Sequence, residues 1–478
     1  MIHFTATYTD FYQLTIGQVY FLEGKKNQVA VFDYFFRKLP FKGGYAIFSG
    51  LEDLLTILQQ FKFSKRDIDF LFHQGFHSEF LHYLKNFRFN GNVYASQEGD
   101  LIFPTRPVLT IEAPLIEAQI IETLILNILN FQTLIATKAS RIRYVAGDKR
   151  LIDFGLRRTA GLAGYYASRA AIVGGFDATS NVIAGRDYAI PVAGTMSHSF
   201  VQSYDNELSA FRDFAESRPQ DCVLLVDTYD TLKSGVPNAI QVGKEMESRG
   251  QQLKGVRLDS GGLSYLAKKT RKMLDEAGLS YVKIVASNQL DEYVIKSLLE
   301  QKSPIDIFGV GTKLVIGEPD GVLDGVYKLA FSHNKPRFKL SETPTKITLP
   351  YKKQVYRLLD NQGSFLGADV VTLVDEKDTD IMYHPFESLK FFHIKNYKKE
   401  ALLHKIMENG KRLSPAKTLN EIAKYSQHRL SLLPEKYKRF NNPHIYKVGL
   451  SSELNERRNH LIEAYKKNEN SNHRRRSK

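Results

Sequence analysis

Residues 222–231 read CVLLVDTYDT, an apolar run that stops abruptly in polar residues. A short apolar stretch bounded this way reads as a buried β-strand whose C-terminal end opens to a polar surface. Four more stretches have the same form: KRLIDFGLRR (149–158), GVRLDSGG (255–262), VKIVASNQL (282–290) and IDIFGVGTKLV (305–315). From residue 222 onward they recur every 25–30 residues or so, about the length of a strand–helix unit. The intervening VPNAIQVGKEMESRGQQL and LSYLAKKTRKMLDEAG carry apolar residues at helical spacing, and Gly278 closes the second as a C-cap would.

Repeated strand–helix units mean parallel strands, and a barrel built from them carries its active site at the strand C-termini. The polar ends are Asp153, Asp227, Asp259, Ser287–Asn288 and Gly309–Gly311–Thr312. The pattern predicts that they converge on one rim.

The flanks differ. Residues 1–140 mix helix with strand-like NQVAVFDYFFRKLP and GNVYASQEGDLIFP, and β character returns in PTKITLPYKKQVYRLLD and GADVVTLVDEK. The fold class expected is therefore α/β: an irregular parallel α/β barrel with a wrapped α+β domain built from both chain ends. The boundaries expected are 1–140 for the N-terminal α+β domain, completed by part of 340–430, and 141–340 for the barrel. A C-terminal region follows over 341–465, then a basic disordered tail over 466–478.

Bulk properties agree with this division. The chain has 478 residues, more than one core of about 250–300 residues accommodates. Its 43% hydrophobic and 25% charged content is that of a soluble globular protein. IIETLILNILNFQTLIATKA (120–139) comes nearest to a membrane span, but Glu122, Asn127, Asn130 and Gln132 interrupt it, and it reads as a buried amphipathic helix. The start MIHFTATYTDFYQ has no signal-peptide pattern, and the lone Cys222 excludes an intramolecular disulfide or a cysteine-rich zinc site. Both point to a cytoplasmic location, with no membrane partner. The net charge of +14 is concentrated in the tail KKNENSNHRRRSK and in 390–440. It reads either as a nucleic-acid surface or as a solvated terminus on an anion-handling enzyme. No nucleic-acid module accompanies it, which favours the second.

Three rim motifs carry chemistry. GVGTKL (309–314) places two glycines and a threonine after a strand, where backbone N–H groups face an anion. In RLDSGG, Arg257 and Asp259 stand two apart and share a strand face. The arginine suits phosphate or carboxylate, and the aspartate suits a sugar diol. DFGLRR adds Phe154 and Arg157 near a strand end. A structural arginine–aspartate pair accounts for either motif alone. AGTMSHSF (193–200) is a fourth, a turn of small and hydroxylated residues that leaves one imidazole, His198, open to a ligand.

Over nearly its whole length the chain resembles the nicotinate phosphoribosyltransferase family. The resemblance is carried in order by YTDFYQLTIGQVYF, FDYFFRKLPFKGGYAIFSGLE, DFGLRR, GGFDATSNVIAG, AGTMSHSF, LLVDTYDT, VRLDSGG, FGVGTKLV and LPEKYKRFNNPHIYKVGLS. It implies that nicotinate displaces pyrophosphate from phosphoribosyl pyrophosphate (PRPP) to give nicotinate mononucleotide for NAD synthesis, with coupled ATP hydrolysis and Mg²⁺. It implies that ATP phosphorylates His198 and that Thr195 binds nicotinate. Tyr12 would reach across a homodimer interface and stack on the pyridine, with Phe154 on the opposite ring face. Arg157 and Arg257 would hold the nicotinate carboxylate or nearby phosphates, and Asp259 the ribose hydroxyls. Gly311 and Thr312 would bind the 5′-phosphate, with Ser287 and Asn288 in the same pocket. For Asp227 and Asp230 the resemblance leaves open whether they touch Mg²⁺ or brace loops.

The chain departs from the family at one position, where DSGG ends in Gly262 and the family pattern ends in an aspartate. Related nicotinamide enzymes place an acid near Asn181, and an uncharged asparagine there fits a carboxylate substrate better. The alternatives are a nicotinamide or other pyridine phosphoribosyltransferase, or a non-catalytic basic RNA-binding relative.

Overall fold

The computed structural model describes residues 4–341, 343, 346–376, 378–387 and 389–476, with side chains as far as 467. The chain divides into two compact units, one of Met1–Leu134 with Val322–Lys478 and one of Ile135–Gly321.

The central unit holds six strands: β1 (Arg150–Asp153), β2 (Ala178–Thr179), β3 (Val223–Leu225), β4 (Gly255–Leu258), β5 (Lys283–Ser287) and β6 (Ile307–Val310). All pair in parallel in the order β2-β1-β6-β5-β4-β3. Five are the strands that the apolar runs predict. The sixth, β2, is two residues long, too short to leave a periodic trace. Among the described residues no pairing joins β2 to β3, so the run is an irregular, unclosed version of the expected barrel. The helices Val236–Ser248 and Leu263–Glu276 occupy the segments with helical spacing. Val310 pairs with Asp153, Ser287 with Gly309, Ala286 with Leu258 and Leu225 with Arg257. This register brings the C-terminal strand ends level, as parallel pairing requires.

The other unit draws strands from both chain ends. Val29–Phe36 lies antiparallel between Leu109–Pro114 and Gly325–Ser332 in a seven-stranded sheet. Lys353–Leu359 and Phe365–Leu373 pair antiparallel in a separate six-stranded sheet. Arg357 and Arg106, both fully buried, are held there by Asp100 and Asp369, since buried cations persist only when paired. The apolar segment 120–139 falls mostly within the helix Glu122–Ala146, and among the described residues no helix is long and apolar enough to cross a membrane. The helix Ser452–Arg476 runs through most of the basic tail expected to be disordered, and residues 477–478 lie outside the described residues.

Candidate active site

Each strand of the central unit hands one functional segment to the rim. After β1 the chain turns at Phe154-Gly155, and Asp153 fixes that turn. Its carboxylate, fully buried, accepts from Gly155 N at 2.8 Å, Ser168 Oγ at 2.7 Å and Thr179 Oγ1 at 2.8 Å. Burial pushes the Asp153 carboxyl above its ordinary range, and the three donors offset part of that push. Asp153 is thus a brace beneath the rim and not one of its ligands.

The ring of Phe154 packs on β6 where no side chain is possible: a Cβ on Gly309 would lie 2.4 Å from it. The Arg257 guanidinium stands 5.2 Å from the ring centroid, within cation–π range. Arg257 is itself tightly committed. Its Nε donates to Ser287 Oγ at 2.9 Å, Nη1 to Thr195 Oγ1 at 3.0 Å and Nη2 to Asp259 Oδ1 at 3.0 Å. Ser287 Oγ also donates to Asp259 Oδ1. One arginine therefore ties three loops together. By contrast, Arg157 and Arg158 are exposed, and among the described residues neither has an ion-pair partner. Their charge is available to an anion.

Two hollows meet along this wall. One, about 300 Å³, is lined by Phe154, Leu156, Arg157, Ser180, Gly194, Thr195, Met196 and Arg257. The other is a narrower cleft bounded by Arg158, Asp259, Ser287, Asn288, Gln289, Gly309, Gly311 and Thr312, and it shares Phe154, Arg157 and Arg257 with the first. Asn288 and Gln289 both hold left-handed backbone conformations, with φ of 87° and 48°. Strain of this kind at non-glycine residues concentrates at binding sites. A larger apolar cavity, about 600 Å³, is lined wholly by the other unit, among others by Phe386, Phe391, Phe392 and Ile445. It gathers no rim motif, so its size does not make it the site.

His198 opens the short helix His198–Gln202, capped by Ser197. Its side chain is 39% exposed. Nδ1 lies 3.1 Å from Thr228 Oγ1, and Nε2 faces Asp227 Oδ1 at 3.8 Å and Asp259 Oδ2 at 3.9 Å. Asp227 Oδ2 accepts from Asp259 N at 2.8 Å and Ser260 Oγ at 2.6 Å, whereas its Oδ1 is buried and has no hydrogen-bond partner among the described residues. Asp230 instead caps the turn Thr231–Gly235 through Leu232 N and Lys233 N.

Of the residues singled out from sequence, Phe154, Arg157, Thr195, Arg257, Asp259, Ser287, Asn288, Gly311 and Thr312 line the two hollows, and His198 stands beside Asp259. Tyr12 lies on the helix Phe11–Leu22 of the other unit, half exposed. Asn181 corrects the expectation attached to it. It is fully buried, its Oδ1 caps the helix Val182–Tyr188, and its Nδ2 donates to Gly164 O and Ser168 Oγ. Its neighbour Ser180, not Asn181, lines the larger hollow. Sequence reasoning passed over Thr228, Arg158 and Gln289, although the doubled arginine of DFGLRR and the strand end in DTYDT were visible signals.

Comparison with known proteins points to one family. Residues 7–130 match the nicotinate phosphoribosyltransferase (NAPRTase) N-terminal domain, 149–328 the nicotinate phosphoribosyltransferase (NAPRTase) family and 352–458 the nicotinate phosphoribosyltransferase C-terminal domain. The nicotinate phosphoribosyltransferase of Bacillus subtilis (strain 168) is 44% identical over 458 residues, covering 94% of this chain and 93% of that one. The crystal structure of human nicotinic acid phosphoribosyltransferase superposes with a TM-score of 0.86 at 31% identity, covering 95% of this chain and 99% of that one. A nicotinate-nucleotide pyrophosphorylase from Pyrococcus furiosus shares the fold at 24% identity, with a TM-score of 0.70, covering 89% of this chain and 95% of that one.

Proposed function

The chain belongs to the nicotinate phosphoribosyltransferase family and is an enzyme of that activity, and from that premise we propose how its site works. Nicotinate occupies the hollow beside Phe154, and PRPP occupies the cleft. The observation that carries this reading is the shared wall: Phe154, Arg157 and Arg257 border both hollows. An aromatic acid in one and a phosphorylated sugar in the other would meet there, with reacting atoms brought together by binding alone.

The pyridine ring lies on the face of Phe154, and the nicotinate carboxylate takes the unpaired charge of Arg157, with Thr195 as a further polar contact. Arg257 faces the same hollow, but Asp259 already balances its charge, so it orients rather than neutralises. The pyridine nitrogen attacks C1 of the ribose with its own lone pair. The bond from C1 to the pyrophosphate oxygen breaks, and the electron pair leaves with pyrophosphate. No general base is needed, because the nucleophile carries no proton. Asp259 accepts from the ribose hydroxyls, Ser287, Asn288, Gly311 and Thr312 line the path of the 5′-phosphate, and Arg158 adds an unpaired cation to the same cleft.

Mg²⁺ fits as a partner of the substrate rather than as a resident ion. Among the described residues no group of three His, Cys, Asp or Glu forms a cage for a metal. Mg²⁺ typically keeps several waters and takes one or two carboxylates beside substrate phosphates. Asp259 and the unpartnered Asp227 Oδ1 would hold it. When bound, it would neutralise charge on the departing pyrophosphate.

ATP phosphorylates His198, coupling its hydrolysis to turnover. The exposed imidazole, in a turn of small residues, supports that role. A homodimer completes the site, with Tyr12 of a second copy covering the pyridine. Val182, Ile183 and Val192, exposed apolar residues flanking the lining segments at Ser180 and Gly194, support such a contact.

The test is a product assay with nicotinate or nicotinamide, PRPP and Mg²⁺, with and without ATP. Nicotinate mononucleotide formed faster with ATP, alongside ADP and phosphate, is the expected result. Equal use of nicotinamide would overturn the role given to Arg157.

A further inference from the structure

The last rung between β5 and β6 joins Ser287 to Gly309. Beyond it the strands part, and the segments that follow, Asn288–Gln289 and Gly311–Thr312, both line the cleft given above to PRPP. One ion pair joins them again. Lys313 Nζ donates to Asp291 Oδ2 at 2.7 Å, and the two side chains are only 21% and 10% exposed. The other carboxylate oxygen of Asp291 accepts from Tyr293 N at 3.0 Å and Val294 N at 2.8 Å, which caps the helix Glu292–Glu300. Asp291 therefore ties its loop to the following helix with one oxygen and to the facing loop with the other.

Burial pushes the Asp291 carboxyl up, but Lys313 and the cap N–H outweigh it and hold it below its ordinary range. The hydrogen bond to Asp291 in turn raises the Lys313 ammonium, with a smaller share from Glu318, 3.8 Å away. Both partners stay charged, and the lysine's charge is already balanced within the protein. The turn between the two loops is strained, since Asn288 and Gln289 are both left-handed, and such strain persists only where the surroundings over-determine it. Here both ends are fixed: Ser287 Oγ is held by Arg257 and Asp259, and Asp291 by Lys313 and the helix.

We propose that Asp291 and Lys313 are positioning residues for PRPP, whose ion pair sets the spacing between the two loops that receive the 5′-phosphate. The inference rests on the placement of PRPP in this cleft. Neither residue bounds the cleft, so the pair acts through the loops it joins. A cradle that binds an anion through its backbone gains affinity when its spacing is set before the ligand arrives.

The experiment compares full-length wild type with Asp291→Asn, Lys313→Met, the double variant, Lys313→Arg and the cleft control Thr312→Val. Asparagine keeps the helix cap without the charge, and methionine keeps the length of the lysine stem. Titration calorimetry with PRPP and Mg²⁺ reads affinity, steady-state kinetics reads kcat and the KM for nicotinate, and thermal midpoints check the fold. Asp291→Asn and Lys313→Met should each bind PRPP about tenfold more weakly, the low end for a hydrogen bond between charged groups because the pair is partly exposed. The double variant should be no weaker than either alone, because each substitution breaks the same contact. The kcat and the KM for nicotinate should hold, and Lys313→Arg should recover most of the affinity. Unchanged PRPP affinity in both single variants, with Thr312→Val weakened, overturns the positioning role and leaves the cleft reading standing. Losses that add in the double variant also overturn it, since the two residues would then act separately. Full PRPP affinity in Thr312→Val overturns the placement of PRPP in the cleft, and the inference with it.

Discussion

Gly309 and Phe154 are in such close contact that a single added methyl group would enter the aromatic ring: the Cβ would lie 2.4 Å from two ring atoms. The glycine's φ is not left-handed, so space alone requires it here. Gly309→Ala must displace Phe154, the ring on which the pyridine is proposed to lie. Overpacking of this kind costs about 1–3 kcal/mol. The expected result is a lowered thermal midpoint and a raised KM for nicotinate, read by calorimetry and steady-state kinetics. An unchanged KM would separate Phe154 from the ring site.

Among the described residues Arg157 has no protein counterion, so its removal leaves no carboxylate stranded there. Arg157→Gln should therefore fold normally while kcat/KM for nicotinate falls. A hydrogen bond to a charged group contributes roughly 1.5–3 kcal/mol, a factor of about 10 to 150 in rate. Nicotinamide turnover, where measurable, should fall less. Equal losses on both substrates would argue that Arg157 serves the phosphates instead.

Position 262 offers the opposite test, a gain. Gly262 caps the helix Leu263–Glu276 with no side-chain hydrogen bond, and an added Cβ would meet only Tyr265 Cβ, at 4.0 Å. Gly262→Asp restores the acid of the family pattern in open space. Aspartate should stabilise the helix start by a few tenths of a kcal/mol over glycine. If that acid helps order PRPP with Mg²⁺, the KM for PRPP should fall as well. A rise in that KM would mean that the missing carboxylate is already replaced by a neighbour.

Asp153 predicts a pH dependence of stability. Burial, its largest influence, raises its folded carboxyl pKa above the ordinary 3.8. A raised pKa means that the folded state holds the proton longer than the unfolded chain. The stability it contributes is thus fully present below the unfolded pKa and is lost as pH rises through the folded one. Asp153→Asn removes this ionisation. Urea midpoints of wild type and variant, followed upward from about pH 4, should show wild type losing ground to the variant as pH rises. Parallel curves would refute the assignment.

His198→Ala should keep the fold, because the side chain is partly exposed and fills no core. Slow ATP-independent formation of nicotinate mononucleotide should persist, while coupled ATP hydrolysis disappears. Undiminished hydrolysis in the variant would refute phosphorylation at His198.

The strand ends were legible in advance because a buried parallel strand needs a continuous apolar run, and CVLLVDTYDT, GVRLDSGG and VKIVASNQL each supply one and then stop. Ala178–Thr179 was not legible, since two residues carry no period. Asn181 misled for a related reason. Sequence gives the side chain's type but not its direction, and here the amide turns inward to cap a helix while Ser180 takes the open face. Thr228 and Arg158 stood in plain view, but nothing in one dimension marks which neighbour of a functional residue will share its contacts.

The sequence by itself determined the strand–helix rhythm and the polar strand ends, because each depends on patterns local in the chain. The pairing of those residues was decided only by tertiary structure. Thr195 and Arg257 are 62 positions apart and His198 and Thr228 are 30 apart. Which arginine is neutralised and which is left free for a ligand follows from which carboxylate the fold brings within a few ångströms, and parallel strand register sets that distance.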